Sequence, residues 1–218
     1  LIFPSAELNK SFEDFKPQKV VNLAAQAGVR YSIENPYVYL EANLSGFLNI
    51  LEFCRHNEIK GLVYASSSSV YGGNTKMPFS IEDQVNQPVS LYAATKRAGE
   101  LLAQSYSHLY HIPATGLRFF TVYGTWGRPD MAYYYFTRNI IRERPIRIYN
   151  HGDMRRDFTW VDDAVQGILG ALDRPPTVDS KYVIGDKTPH RIFNIGNNRS
   201  EKLLDFIKEI EKAAGKKA

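Results

Sequence analysis

Three short apolar runs constrain the fold more than any other feature of the chain. Lys19–Ala24 (KVVNLA), Lys60–Ala65 (KGLVYA) and Ala114–Phe120 (ATGLRFF) are strand-sized and rich in β-branched, leucine or aromatic residues. Such runs suit strands buried on both faces of a parallel sheet. Helix-length stretches separate them. Glu41–His56 has Leu44, Phe47, Leu48 and Leu51 at roughly helical spacing, and Ser90–Tyr110 opens on a serine placed to cap a helix. This β-α-β-α-β order predicts an α/β fold, a doubly wound parallel sheet with helices on both faces. Ligands on such sheets bind beyond the carboxyl ends of the strands.

Unusual residues follow those ends. Ala24-Ala25-Gln26-Ala27-Gly28-Val29-Arg30 follows the first run, Ser66-Ser67-Ser68-Ser69 the second and Thr121-Val122-Tyr123-Gly124 the third. Later, the pattern predicts a helix over Met131–Arg144, whose Tyr133, Tyr134, Tyr135 and Phe136 are expected to pack on the first domain. It further predicts a strand over Ile146–Tyr149, a helix over Asp162–Leu172, a strand over Arg191–Ile195 and a final helix. Two regions are expected, 1–122 and a smaller α/β region over 123–218.

Composition narrows the function. With 218 residues, 44% of them hydrophobic, the chain has enough material for a core. A net charge of +4 without a dense basic stripe argues against nucleic acid as a partner. The late arginines, Arg138, Arg142, Arg144, Arg147, Arg155 and Arg156, suit either an anionic small ligand or a solvated helix face and loop. Cys54 is the single cysteine and falls on an apolar helix face, so a core thiol in a reducing compartment is expected. No apolar stretch reaches membrane-spanning length, and a soluble, cytoplasmic protein is the expectation. No metal site is expected.

The strongest chemical signal is Tyr92-Ala93-Ala94-Thr95-Lys96. Residues four apart share a helix face, so phenol and ammonium point the same way. A free tyrosine, with a pKa near ~10, is a poor base at neutral pH. A nearby cation favours its phenolate. Alone the pattern is weak. Combined with a serine run at the end of the preceding buried strand it is specific, because a serine there can orient the proton that the phenolate takes.

These residues resemble the extended short-chain dehydrogenase/reductase family, and within it the nucleotide-sugar epimerases. The segments that carry the resemblance are NLAAQAGVRYS (22–32), ASSSSVYG (65–72), YAATK (92–96), RFFTVYGTWGRPDMA (118–132) and RRDFTWVDD (155–163). Thr125 stands where the family more often has proline. The resemblance runs from Val20 to about Asp205 and implies a Rossmann-like domain with NAD as cofactor.

By this resemblance Tyr92 is the catalytic base, and Lys96 binds the nicotinamide ribose and tunes Tyr92. Ser67, four residues before Tyr71, aligns as the catalytic serine, with Ser66 and Ser68 as alternatives. Leu23, Ala24, Ala25, Gln26, Asn43, Ala65, Ser66, Phe120 and Val122 fall on the cofactor side. Arg30, Ser68, Thr121, Arg128, Tyr149 and Arg156 fall with Ser67 on the substrate side. There Arg156 would contact a diphosphate, Tyr149 would cover uracil, and Arg128 with Thr121 would hold a uronate carboxylate. Arg128 has a second reading, as a loop arginine paired with Asp130.

The implied activity is epimerisation at C4 of a UDP-sugar, UDP-glucuronate to UDP-galacturonate, through a 4-keto sugar. A UDP-glucuronate decarboxylase or UDP-glucose 4-epimerase on the same scaffold, or a non-catalytic nucleotide-sugar-binding module, are the alternatives. Ser68 and Ser69 are not acidic, which counts against a dehydratase. A homodimer through the Glu41 and Ser90 helices is implied.

The family opens on a strand and a G-x-x-G-x-x-G turn that presents a helix terminus to the pyrophosphate. Here Gly28 is the first glycine. The chain is therefore expected to be a piece lacking N-terminal strands and a C-terminal part, binding NAD poorly and folding marginally on its own.

Overall fold

The computed structural model describes residues 6–179 and 188–218. Helix α1 (Ala6–Phe15) precedes strand β1 (Lys19–Asn22). Two single-turn helices, α2 (Tyr31–Glu34) and α3 (Tyr37–Leu40), lead through a π-helical turn at Glu41–Ser45 into α4 (Gly46–His56). Next come β2 (Gly61–Ser67), a 3-10 turn at Ser68–Tyr71, α5 (Leu91–Tyr110) and β3 (Ala114–Phe119). The remainder holds β4 (Thr121–Tyr123), α6 (Ala132–Ile141), β5 (Arg155–Trp160), α7 (Val161–Asp173), β6 (His190–Ile195), β7 (Ser200–Lys202) and α8 (Leu203–Ala214). No described helix is long and apolar enough to cross a membrane.

The chain forms two compact units, Leu1–Phe119 with Gly167–Asn194, and Phe120–Gln166 with Ile195–Ala218. The sequence leads to an expectation of one cut after residue 122. The chain instead returns to the first unit, because β6 completes a four-stranded sheet in the order β1-β2-β3-β6. The β1–β2 and β2–β3 pairings are parallel. Buried residues dominate both faces of β2, as a central parallel strand requires. Helices α4 and α5 cover the sheet through Phe47, Leu51, Cys54, Leu62, Tyr64 and Ala103, with Ile112 and Ala114 beside them. Burial pushes the Cys54 thiol up to about 12, so it is an inert core group. Ser90 caps α5 by accepting the Ala93 N–H at 3.1 Å.

Gly116 lies directly opposite Tyr64 in the β2–β3 register. A Cβ there would stand 2.5 Å from the Tyr64 hydroxyl, which is itself engaged with His190 Nε2 at 2.8 Å. Gly116→Ala is therefore expected to destabilise the protein by about 1–3 kcal/mol through overpacking. An unchanged urea midpoint would refute this account of the glycine.

The second unit has its own sheet, β4-β5-β7, parallel between β4 and β5 and antiparallel between β5 and β7. One expectation is corrected there. Residues 146–149 form no strand; Ile146 instead packs on the Phe136–Ile140–Leu203–Ile207 cluster. Phe136 and Tyr135 pack within this unit, against α8. An apolar stripe is satisfied by the nearest amphipathic helix, and α8 supplies one.

Candidate active site

In the first unit, the carboxyl ends of β1 and β2 open on a small cavity. Its wall includes Asn22, Ala24, Ala25, Asn43, Ala65, Thr95 and Lys96. Small side chains at Ala24, Ala25 and Ala65 leave the strand ends open to a ligand. No cluster of metal-ligating residues occurs among the described residues.

Lys96 is 8% exposed and its Nζ donates to the Ala65 carbonyl at 2.9 Å. An ammonium has three donors. Burial brings Lys96 down to about 8, still largely cationic at neutral pH. Tyr92, one turn earlier on α5, is half-buried and meets the Tyr39 ring edge-on at 6.2 Å between centroids.

Asn43 sits in the π-helical turn, a distortion that recurs at functional sites. Its Oδ1 accepts the Gln26 N–H at 2.8 Å, and its Nδ2 donates to the Gln26 carbonyl at 2.9 Å and to Thr95 Oγ1 at 3.0 Å. One side chain thus satisfies both backbone groups of the loop after β1 and ties that loop to α5. Tyr39 adds hydrogen bonds from its hydroxyl to the Ala27 and Gly28 carbonyls. Asn43→Ala is expected to cost about 2–3 kcal/mol, because it strips partners from two backbone groups at once. Equilibrium denaturation with a midpoint equal to the parent's would disprove that role.

The serine run separates by strand alternation. Ser66 is turned to α5, where its hydroxyl donates to Glu100 Oε1 at 2.6 Å. Ser67, 7% exposed, has a hydroxyl that accepts the Ser69 N–H at 3.1 Å and caps the following 3-10 turn. Ser68 is half-buried in that turn. Of the three, Ser66 has its hydroxyl committed to a buried carboxylate. Leu23 and Arg30 are exposed, and neither lines the cavity.

The second unit holds the remaining candidates. Phe120 and Val122 are half-buried, and Thr121 and Val122 lie on β4, in register with Phe158 and Thr159. Arg128 Nε donates to Asp130 Oδ1 at 3.0 Å, and its Nη2 takes the other carboxylate oxygen. This is the loop pairing that its second reading anticipates. A substrate carboxylate at Arg128 would have to displace Asp130. Tyr149 is exposed, and so is Arg156, whose Nη1 donates to the Arg155 carbonyl at 2.7 Å.

Three contributors escape the sequence reading: Thr95, Glu100 and Arg118. Glu100 repeats the four-residue spacing of Tyr92 and Lys96, which places it on their helix face. That spacing was the available signal.

Comparison with known proteins places this geometry in a family. The chain is 50% identical to UDP-glucuronate 4-epimerase 3 of Arabidopsis thaliana, over 98% of its own length and 51% of that protein's. It is 53% identical to protein CapI of Staphylococcus aureus, over 97% of its own length and 65% of CapI. The crystal structure of UDP-glucuronic acid 4-epimerase from Bacillus cereus, in complex with UDP-glucuronic acid and NAD, superposes with a TM-score of 0.84. Identity there is 34%, covering 98% of this chain and 64% of the other. The chain thus spans about half to two thirds of the length of these relatives. The family model matches residues 2–196, the stretch that contains β1 to β6 with Ser67, Tyr92 and Lys96, and the chain belongs to the NAD dependent epimerase/dehydratase family.

Proposed function

We propose that the protein epimerises a UDP-sugar at C4, converting UDP-glucuronate to UDP-galacturonate with NAD. The observation that carries this reading is the pinned Lys96, one turn from Tyr92 and beside a cavity at the β1–β2 ends. The residues present suit the nicotinamide-ribose part of such a cofactor. Ala24, Ala25 and Ala65 are small, Lys96 is a buried cation whose one described acceptor is the Ala65 carbonyl, and Asn43 fixes the adjoining loop. When bound, NAD accepts and returns a hydride.

Tyr92 takes the proton of the C4 hydroxyl and gives it back after the sugar has turned. Lys96 holds the ribose and stabilises charge on the phenol oxygen. Ser67 orients the reacting hydroxyl. Leu23, Ala24, Ala25, Gln26, Asn43, Ala65, Ser66, Phe120 and Val122 form the cofactor side of this proposal. Arg30, Ser68, Thr121, Arg128, Tyr149 and Arg156 form the substrate side, with Arg156 for the diphosphate.

The 4-keto sugar derived from a uronate is a β-keto acid. It loses CO2 when the carboxylate bond aligns with the carbonyl π system. An Arg128–Thr121 clamp would hold the carboxylate out of that alignment, once Asp130 gives way. The same reading takes the protein to be a cytoplasmic homodimer that serves polysaccharide biosynthesis. Exposed Leu48 and Leu101 on α4 and α5 support a helix-to-helix contact.

Incubating the complete natural polypeptide with UDP-glucuronate and NAD, with products resolved by NMR, tests the proposal. UDP-galacturonate without CO2 is the expected product. UDP-xylose would make it a decarboxylase, and no turnover with any UDP-sugar would leave a binding module.

A further inference from the structure

We propose that the buried Glu100–Arg118 ion pair is a positioning device that sets Ser67 against the Tyr92–Lys96 face of α5. The inference rests on the roles proposed above for those three residues. Glu100 and Arg118 are 1% and 2% exposed. Arg118 Nε donates to Glu100 Oε1 at 2.8 Å and Nη2 to Oε2 at 2.9 Å, a two-pronged geometry that fixes both side chains. Arg97, one residue past Lys96, adds a third donor to the same carboxylate at 2.8 Å.

The residue before Ser67 and the tyrosine that closes the turn after it are both tied to this pair. Ser66, just before Ser67, donates to Glu100. Tyr71, which closes the 3-10 turn after Ser67, accepts from Arg118 Nη1 at 3.0 Å and lies under its guanidinium, 4.9 Å from ring centroid to Cζ. Tyr71 is anchored further by donating to Asn194 at 2.7 Å and by stacking on Phe79. Ser67 is therefore suspended between two residues that share one buried clamp.

The clamp also fixes the helix. Tyr92, Lys96 and Glu100 recur every fourth residue on α5. Lys96 is tied to Ala65 and Glu100 to Ser66, which are neighbours on β2. Two ties one helical turn apart, landing on adjacent strand residues, leave α5 no freedom to slide or roll relative to the strand end. Arg118 stands opposite Ser66 in the β2–β3 register and braces the clamp from the next strand.

The test uses Ser66→Ala, Tyr71→Phe and Glu100→Gln in the complete natural polypeptide. The first two each delete one hydroxyl and keep the ion pair, so they remain informative if Glu100→Gln does not fold. Each is expected to lower kcat about 10- to 100-fold with KM for the UDP-sugar unchanged within about twofold, the signature of misplaced reacting groups. Amides of residues 68–71 should exchange with deuterium about tenfold faster in each variant, while those of β1 keep their parental rates. Folded variants with parental kcat and parental exchange would overturn the inference. A parent that turns over no UDP-sugar would sink the proposed function instead, and the exchange comparison would still decide whether the clamp positions the serine segment.

Discussion

Tyr92→Phe is expected to lower turnover of the UDP-sugar by about 1,000-fold and to leave the unfolding midpoint unchanged. The substitution removes one oxygen and keeps the ring, so the edge-on contact with Tyr39 survives. The lost oxygen is the group proposed to take and return the C4 proton, and a positioned acid–base group is worth about 100- to 10,000-fold. Lys96 keeps its tie to Ala65 in this variant, and Ser67 keeps its cap on the 3-10 turn. Steady-state kinetics with thermal unfolding on the same preparation checks both halves. A loss under about tenfold with the fold intact would remove Tyr92 from the chemistry.

Arg118→Met has the largest expected effect on stability. Burial works to raise the Glu100 carboxyl, but hydrogen bonds and charge from Arg118, with help from Ser66 and Arg97, hold it below its ordinary value. Without Arg118 the carboxylate loses two of its four donors inside the core. Breaking a buried pair in this way costs about 3–5 kcal/mol. Glu100→Gln combined with Arg118→Met should recover much of that loss, because no unpaired charge is left fully buried, and the Arg97 guanidinium that loses its partner keeps partial access to water. Denaturant unfolding of both singles and the double gives the coupling directly, and strict additivity would refute the account. The pH dependence has a definite sign. A carboxyl lowered on folding stabilises the protein above its unfolded value and loses that contribution as pH falls through the folded one. The parent should therefore lose stability below about pH 4.5, and the double variant should lose less.

The sequence reading reached the elements whose signals are local. β1, β2 and β3 form where the short apolar runs predict strands, although only β2 and β3 are buried while β1, with Val21 exposed, is not, and α5 begins at the predicted serine. Tyr92 and Lys96 stand out once their helix spacing is combined with the serine run at the end of the preceding strand. What stayed hidden depends on distant partners. β4 and β5 pair across Thr121 and Phe158, and β5 pairs with β7 across Arg155 and Lys202. Such short strands are fixed by their neighbours rather than by their own composition. Ile146–Tyr149 shows the converse, since its alternation suits a strand but none pairs with it among the described residues. Glu100 shares the spacing of Tyr92 and Lys96, but its ion pair depends on Arg118 from the next strand. That the Ser66 hydroxyl is committed to a carboxylate is likewise decided by Glu100, outside the run itself.

The strand order has a consequence for synthesis on the ribosome. β3 ends at Phe119, and its sheet partner β6 begins only at His190, with β4, β5 and their helices translated in between. At about 5–20 residues per second, the nascent chain waits for several seconds with the β3 edge unpaired. An open edge on a parallel sheet is a docking point for other unfolded chains. We therefore expect ribosome-bound chains ending before residue 190 to recruit chaperones, and chains extended past residue 195 to release them.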